Sequence, residues 1–389
     1  MPEPQSTQGP SPRAPYEDRR LVLCLGPGGV GKTTSAAALA LAAAQSGRRV
    51  VVVTVDPARR LGQALGLSVE HGGGKVVSVL DAERDGMTLD ALLLDSAAVF
   101  DEIVRAYAES PSAAKRITSS KIYSATRERL GGALEFAAMA RVLMLHEAGE
   151  HDCIILDTPP TANALEFLSA PQRIRELADN PAAKMVTSGG RLGAKMLGLG
   201  GAVVIKALES LGGGDFLREL GAFLSDFAGV IREFSRRGGD FDTLLRSEET
   251  GAVVVTSTAS FAVREAIDFI ARLRKWGLRV DAVMLNRADP PLPALSDAPA
   301  VEARLTQLSS AEAQALRESY ADARKLGERT QAARQALEAI DPPLRTFIGY
   351  RAEVPPDTLD GLRRFGRAVW GSGAPDESGT TAARPDDDA

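Results

Sequence analysis

Cysteine is scarce in this chain, with Cys24 and Cys153 as the two thiols among 389 residues. Each lies inside a short apolar run, where the expected role is that of a small buried hydrophobic residue. We therefore expect no disulfide framework, which fits a reducing compartment.

Long hydrophobic runs are also lacking. Residues 1–18 are rich in Pro, Ser and Gln and contain no apolar segment of a signal peptide. The most apolar long stretch, residues 193–211, is interrupted by Lys195 and Lys206, whereas a spanning helix needs about 20 mostly apolar residues. The net charge of −5 gives no reason to expect nucleic-acid binding. We expect a cytoplasmic protein that visits a membrane surface transiently at most.

The chain divides into one large domain and two tails. Residues 1–18 and the acidic residues 372–389 are typical of disordered, solvated segments. Residues 19–371 carry the apolar pattern of a folded domain. Within it, residues 171–246 contain no strand-like run and are unusually Gly-rich, which predicts a helical insertion subdomain.

Short runs rich in Val, Ile and Leu alternate with helical patterns through the rest of the domain. The runs are nearly continuous in hydrophobicity, as in strands buried on both faces of a parallel sheet. The predicted strands are 21–25, 50–55, 76–80, 153–156, 252–256, 282–285 and 346–349, and the predicted helices 33–45, 89–108, 127–148, 262–276, 310–340 and 358–369. This order predicts an α/β fold with a doubly wound, mostly parallel sheet.

The segment Gly26–Thr34 satisfies the phosphate-loop pattern G-x-x-x-x-G-K-[ST], between a predicted strand and a predicted helix. Glycines let main-chain N–H groups surround a phosphate, and the helix N-terminus adds a favourable dipole. Lys32 is expected to reach the β- and γ-phosphates, Thr33 to bind Mg²⁺ and Thr34 to contact the α-phosphate. The residues predicted to bind the nucleotide here are Gly28, Gly29, Val30, Gly31, Lys32, Thr33 and Thr34.

Two aspartates end predicted strands, where the ligand crevice of such a fold lies. Asp56 is a candidate to position or deprotonate the attacking water, although capping the next helix, with Pro57 after it, is an equally ordinary role. Asp157 follows four apolar residues, the pattern of a Walker-B aspartate that holds Mg²⁺ directly or through water. Each aspartate motif is weak alone, but the phosphate loop and the two aspartates together, in this order and each at a strand end, are specific.

Together these motifs resemble those of the ArsA-type ATPases, which include arsenite-efflux ATPases, ATPases that target tail-anchored membrane proteins, and bacterial anion-transporting ATPases. Their deviant phosphate loop, G-K-G-G-V-G-K-T-T, is matched except at Pro27. Their first switch, D-P-A-H, is matched at residues 56–58, and their second, D-T-A-P-T-G-H, in part at residues 157–163. The resemblance extends over most of residues 21–370.

The resemblance implies a Mg-ATP-binding ATPase in which Asp56 activates water and Asp157 senses the nucleotide. It further implies that Asn286 and Pro355, after two late strands, contact the adenine. Dimerisation is implied as well, with ATP closing the dimer and hydrolysis reopening it. By the same resemblance, residues 171–246 are expected to bind a hydrophobic helix or partner protein, although packing of the subdomain itself explains their apolar residues equally well.

The chain departs from the family at Pro27, where the family has a lysine that reaches the partner's nucleotide. Proline carries no charge and no N–H. Three explanations remain open: a heterodimer with a lysine-bearing relative, replacement by Arg59 or Arg60, or slow hydrolysis by an ATP-gated binding protein or regulatory subunit. The zinc-binding and arsenite-binding cysteines of the family have no counterparts in this sequence, so we expect no zinc, and a metalloid-efflux function is disfavoured.

Overall fold

The computed structural model describes residues 14–55, 60–67, 74–127, 133–158, 168–169, 172, 176, 214–352 and 356–370. Within these residues the chain forms one eight-stranded sheet of order β3-β4-β2-β5-β1-β6-β7-β8. The strands are β1 (Leu21–Leu25), β2 (Val50–Thr54), β3 (Val76–Leu80), β4 (Leu89–Leu93), β5 (Cys153–Asp157), β6 (Thr250–Ser257), β7 (Val280–Ala288) and β8 (Arg345–Tyr350). All neighbouring pairs are parallel except β3 with β4, which confirms the doubly wound α/β fold.

Helices connect the strands and cover both faces of the sheet. They are α1 (Lys32–Gln45), α2 (Arg60–Ala64), α3 (Ala82–Asp85), α4 (Ser96–Tyr107), α5 (Pro111–Ser119), α6 (Lys121–Arg127), α7 (Ala133–Ala148), α8 (Gly214–Arg246), α9 (Ser260–Trp276), α10 (Pro299–Leu305), α11 (Ser310–Glu338) and α12 (Leu359–Trp370), with a short 3₁₀ turn at Leu295–Asp297. None of the helices in the described ranges is long and apolar enough to span a bilayer.

The sheet has one apolar layer on each face, and the central strand β1 contributes side chains to both layers. Its residues Leu21, Leu23 and Leu25 pack with apolar side chains of α7, α8, α9 and α11. Val22 and Cys24, which alternate with them, pack with α1 and α12 on the opposite face. Because strand side chains alternate in direction, β1 is buried on both faces, as its continuous apolar sequence predicts.

The sheet differs from the prediction in the segment between β3 and α4. The predicted helix 89–108 was wrong at its start, since Leu89–Leu93 forms β4 and the helix begins at Ser96. The strand Val76–Leu80 exists, but it is antiparallel to β4 and only partly buried. Asp90 is held within β4 by a 2.8 Å contact between its Oδ2 and Nε2 of His151, and this partner is distant in sequence.

A helical layer with its own apolar cluster lies beside the sheet. Side chains of α4, α5, α6, α7 and α8 form this cluster, and α8 packs on α4, α5 and α7. The described helix α8 ends at Arg246, where the predicted insertion 171–246 also ends. Within the predicted insertion, residues 171, 173–175 and 177–213 lie outside the described residues, so the expected binding of a hydrophobic helix or partner protein by this segment stays a prediction.

Residues 14–18 belong to the predicted N-terminal tail, and Ala14 and Tyr16 among them are buried, with 5% and 6% of their surface exposed. Both pack in the layer that contains α1. The guanidinium of Arg48 donates a hydrogen bond to the main-chain carbonyl of Tyr16. Residues 372–389 lie outside the described part of the chain.

Candidate functional site

The loop between β1 and α1 depends on three glycines with positive φ. Gly26, Gly29 and Gly31 have φ values of 149°, 76° and 93°, which side chains rarely allow. Two of them are also close to other groups. A Cβ at Gly26 would lie 2.1 Å from the carbonyl oxygen of Val255, and one at Gly31 would lie 2.3 Å from Nδ2 of Asn286. The loop therefore adopts a backbone path that only glycine permits.

Helix α1 begins at Lys32 without a side-chain cap and without an acidic residue in its first turn. The first N–H groups of a helix have no partner within the helix and carry partial positive charge. Gly28 and Gly29 in the loop before it are exposed, and Thr33 and Thr34 are half-buried. This helix end is therefore open to an anion, as a phosphate-binding loop requires.

The lysine of the loop is folded back onto the loop itself. Nζ of Lys32 donates a hydrogen bond of 2.9 Å to the carbonyl oxygen of Pro27, and the residue is only 8% exposed. The carbonyl of a buried proline thus holds the ammonium group against the loop. Because an ammonium group has three N–H donors, this hydrogen bond is compatible with further hydrogen bonds to phosphate oxygens.

Two hydroxyl groups converge on the carboxylate of Asp157, at the end of β5. Oγ1 of Thr33 donates to Oδ2 of Asp157 over 2.8 Å, and Oγ1 of Thr54 donates to the same oxygen over 3.0 Å. Asp157 is 1% exposed, and so is Thr54. Thr33 comes from the first turn of α1 and Thr54 from the end of β2, so three elements meet at one carboxylate oxygen.

These groups fit a magnesium ion by the chemistry of their donors. Mg²⁺ binds oxygen ligands and is usually held by one or two protein groups together with water and phosphate. The described residues contain no cluster of three or more acidic, His or Cys side chains that would form a complete metal cage. Thr33 and Asp157 offer a hydroxyl and a carboxylate instead, which suits an ion that arrives with a nucleotide.

Asn286, at the C-terminal end of β7, is tied to the same loop. Its Nδ2 donates a hydrogen bond of 2.8 Å to the carbonyl oxygen of Val30, and the residue is 6% exposed. Gly349, its neighbour on β8, leaves room for it, since a Cβ there would lie 3.1 Å from Oδ1 of Asn286. The structure thus brings Asn286 beside the phosphate loop, as the sequence prediction of a shared site requires.

Two predicted site residues, Asp56 and Pro355, lie outside the described residues, so their roles stay predictions. Among the described residues, Thr54 also contacts Asp157, although it is not among the site residues predicted from the sequence. The only sequence signal for it is the single polar side chain at the end of the strand Val50–Thr54. Cys24 lies opposite Asp157 in the pairing of β1 with β5. Burial raises the pKa of the Cys24 thiol above its usual range, and the nearby Asp157 carboxylate raises it further by a smaller amount.

Comparison with known proteins finds a matching family of ATPases and several similar chains. The profile of the family described as anion-transporting ATPases matches residues 19–328. Protein Rv2184c of Mycobacterium tuberculosis is 38% identical over 161 residues, which cover 39% of this chain and 37% of that protein. ATPase GET3 of Malassezia globosa is 24% identical over 274 residues, covering 70% of this chain and 73% of that protein.

A further relative, from Aquifex aeolicus, carries a name that describes an arsenical pump-driving ATPase. It is 24% identical over 281 residues, which cover 70% of this chain and 64% of that protein. The chain thus spans less than two fifths of the M. tuberculosis relative's length and about two thirds of the A. aeolicus relative's length.

The family profile covers well over half of the chain, and it includes the phosphate loop, Asp157 and Asn286. The eight-stranded, mostly parallel sheet with this loop after its central strand is the P-loop fold. The chain therefore belongs to the anion-transporting ATPase family, an ATP-binding family of P-loop ATPases.

Proposed function

We propose that this protein binds Mg-ATP at Gly26–Thr34 in the cytoplasm and hydrolyses it. The observation that carries the proposal is the convergence of Thr33 on Asp157, at 2.8 Å, directly beside an uncapped helix end. Phosphoryl transfer requires positioning and charge stabilisation more than covalent chemistry. A phosphate cradle, a lysine and a magnesium-binding pair supply those requirements within one loop and one neighbouring strand.

Each residue then has a defined task. Lys32 donates hydrogen bonds to the β- and γ-phosphates. Thr33 would hold Mg²⁺ through a lone pair of its hydroxyl oxygen, while its O–H continues to donate to Asp157. Asp157 would help to hold the ion, directly or through water, beside the Thr33 hydroxyl that it orients. Asp56 orients the attacking water, and Asn286 and Pro355 contact the adenine.

The nucleotide cycle is proposed to drive closure of a dimer and to gate a partner. Support comes from the family membership and from the helical layer in which α8 packs on α4, α5 and α7. Residues 171–246, which are expected to bind a hydrophobic helix or another protein, include α8 and the segment directly before it in the chain. Relatives of this chain are named as a GET3 ATPase and an arsenical pump-driving ATPase.

A second candidate is a regulatory or weakly hydrolysing subunit that pairs with a lysine-bearing relative. Pro27 favours it, because this buried residue has no charge to offer to a partner's nucleotide, and charge supplied in trans is worth about 10³–10⁵ in rate. A cysteine-based metalloid site is disfavoured, since Cys24 and Cys153 are both fully buried in strands. Burial raises the pKa of Cys153 to about 12.

The first experiment is Mg-ATP turnover by the purified chain, with Lys32→Ala as the control and Pro27→Lys as the gain-of-function variant. Turnover that Lys32→Ala abolishes establishes a self-sufficient ATPase. ATP binding without turnover, together with turnover gained in Pro27→Lys, establishes the subunit that needs a lysine-bearing partner. Absence of Mg-ATP binding in the unmodified chain would refute both proposals.

A further inference from the structure

Strand β2 ends in a side chain that its sequence alone does not explain. Four valines precede Thr54, and all five residues are buried. A fifth valine would bury the same shape without a polar group, and burying a hydroxyl is unfavourable unless it is hydrogen-bonded. The Thr54 hydroxyl avoids this unfavourable free energy because it donates a 3.0 Å hydrogen bond to Oδ2 of Asp157, 103 positions later in the chain.

The sheet itself sets this contact. Strands β2 and β5 are parallel, and Thr54 lies opposite Asp157 in their register. Val52 and Val53 pair in the same way with Ile155 and Leu156. The hydrogen bond between the two side chains is therefore fixed by backbone pairing, and it does not depend on a flexible loop.

The oxygen that Thr54 contacts is also the one that accepts the hydroxyl of Thr33, at 2.8 Å. Oδ2 of Asp157 consequently has one donor from the sheet and one from the phosphate loop. The χ2 torsion of an aspartate has a broad energy profile, so the orientation of its carboxylate depends on the donors around it. The donor from Thr54 favours the orientation in which Oδ2 faces Thr33.

We propose that Thr54 is a positioning residue for the magnesium site. Its hydrogen bond holds the Asp157 carboxylate so that Oδ2 accepts the hydrogen bond of the Thr33 hydroxyl. A lone pair of the Thr33 oxygen would then be available to hold Mg²⁺. Groups that orient metal ligands in this way typically change metal affinity about 10- to 100-fold when removed. The proposal rests on the proposed function, because it presupposes Mg-ATP at this loop.

The test compares Thr54→Val, which keeps the shape and removes the hydroxyl, with Thr54→Ser, which keeps the hydroxyl. Binding of a fluorescent N-methylanthraniloyl ATP is measured in EDTA and during a Mg²⁺ titration. We expect Thr54→Val to bind the analogue in EDTA as the unmodified protein does, and to need about 10- to 100-fold more Mg²⁺ for half-saturation. Thr54→Ser is expected to restore the unmodified value.

Thr250→Val is the matched control. Thr250 is also fully buried in a strand, and its hydroxyl donates a 2.7 Å hydrogen bond to the carbonyl oxygen of Leu244, at the opposite end of the sheet. Its loss is expected to lower the melting temperature and to leave the Mg²⁺ requirement unchanged. This control separates a general effect of removing a buried hydroxyl from an effect on Asp157.

An unchanged Mg²⁺ requirement in Thr54→Val would overturn the proposal, and so would an equal change in Thr250→Val. If Thr54→Val does not fold, Thr54→Ala is measured in its place, and failure of both to fold would assign Thr54 to folding alone. The proposed function fails separately, because it requires the unmodified protein to bind the analogue and to bind it more tightly with Mg²⁺.

Discussion

Asn286 and Val30 are joined by a hydrogen bond of 2.8 Å, although 256 positions separate them in the chain. The amide Nδ2 of Asn286 is the donor and the main-chain carbonyl of Val30 is the acceptor. Strand β7, which carries Asn286, is thereby tied to the phosphate loop that follows β1. One side chain thus links the expected adenine end of the site to its phosphate end.

Replacing the amide of Asn286 tests whether its hydrogen bond to Val30 stabilises the phosphate loop. Asn286→Asp keeps the shape of the side chain but places a carboxylate oxygen against the Val30 carbonyl, so the bond is replaced by repulsion. We expect the free energy of unfolding to fall by about 1–3 kcal/mol, the usual cost of a buried polar group without its partner. Urea denaturation followed by circular dichroism measures it, and an unchanged midpoint would show that the bond does not stabilise the loop.

Gly31 and Gly29 form a matched pair in the loop. Both have positive φ, at 93° and 76°, so alanine is strained at either position, at a cost of about 1–2 kcal/mol. A Cβ at Gly31 also meets Nδ2 of Asn286 at 2.3 Å, whereas a Cβ at Gly29 meets nothing within 4 Å.

Gly31→Ala should therefore destabilise the fold more than Gly29→Ala, by roughly 1–3 kcal/mol, as expected for overpacking. Thermal and urea denaturation of the two variants, measured side by side, gives this difference. Equal stabilities would mean that Asn286 moves away from the added methyl group at no cost.

Much of this fold follows from the sequence because the central strands are buried on both faces. The run Leu21–Leu25 and the run Cys153–Asp157 are apolar up to their last residues, and both form strands within one residue of the predicted bounds. Strand β4 was missed because Leu89, Leu92 and Val99 also fit the spacing of a helix. The pairing of β4 with β2, which makes this segment a strand, joins residues that are far apart in the sequence.

In the candidate site too, the features set by contiguous residues were predictable, and those set by contacts distant in sequence were not. The phosphate loop was predictable because its glycines, lysine and threonines are contiguous. The contact of Thr54 with Asp157 was not predictable. A threonine at a strand end is common, and its partner here is set by the pairing of β2 with β5. The contact between Lys32 and the Pro27 carbonyl depends likewise on the path of the loop, and the sequence pattern does not specify it.

Arg49 and Asp152, which directly precede β2 and β5, form an ion pair at the end of these strands opposite to Thr54 and Asp157. This ion pair gives a prediction about stability at acid pH. The carboxylate of Asp152 accepts hydrogen bonds from the side chain and main chain of Arg49, at 2.7 Å and 2.9 Å. The Arg49 side chain, and then its main-chain N–H, lower the pKa of Asp152 from 3.8 to about 2. A carboxylate whose pKa is lower in the folded state stabilises the fold above its unfolded pKa and loses this effect as the pH falls.

Asp152→Asn should therefore lower the free energy of unfolding at neutral pH, and the difference should disappear between about pH 4 and pH 2. The size should stay below about 1 kcal/mol, because the pair is exposed to solvent and screened; 40% of the Asp152 side chain is accessible. Denaturation of both proteins across this pH range measures the difference. A difference that grows as the pH falls would contradict the assigned pKa direction.

The two thiols provide the last prediction, which bears on function. Cys24 and Cys153 have no exposed surface, and burial raises the pKa of both, to about 12 for Cys153. The thiolate is the reactive form and the form that binds soft metals and metalloids. We therefore expect a thiol reagent to modify neither residue in the native protein and both in guanidinium chloride.

Slow modification of native Cys24 would report opening of the sheet beside Asp157, since reagents reach buried groups only through local unfolding. Mg-ATP, by binding the native state, should slow that opening further. The measurement follows labelling by mass spectrometry with and without Mg-ATP, in a Cys153→Ser variant that leaves one thiol. Rapid labelling of the native chain would instead mean that a thiol is accessible, and a cysteine-based metalloid site would again have to be considered.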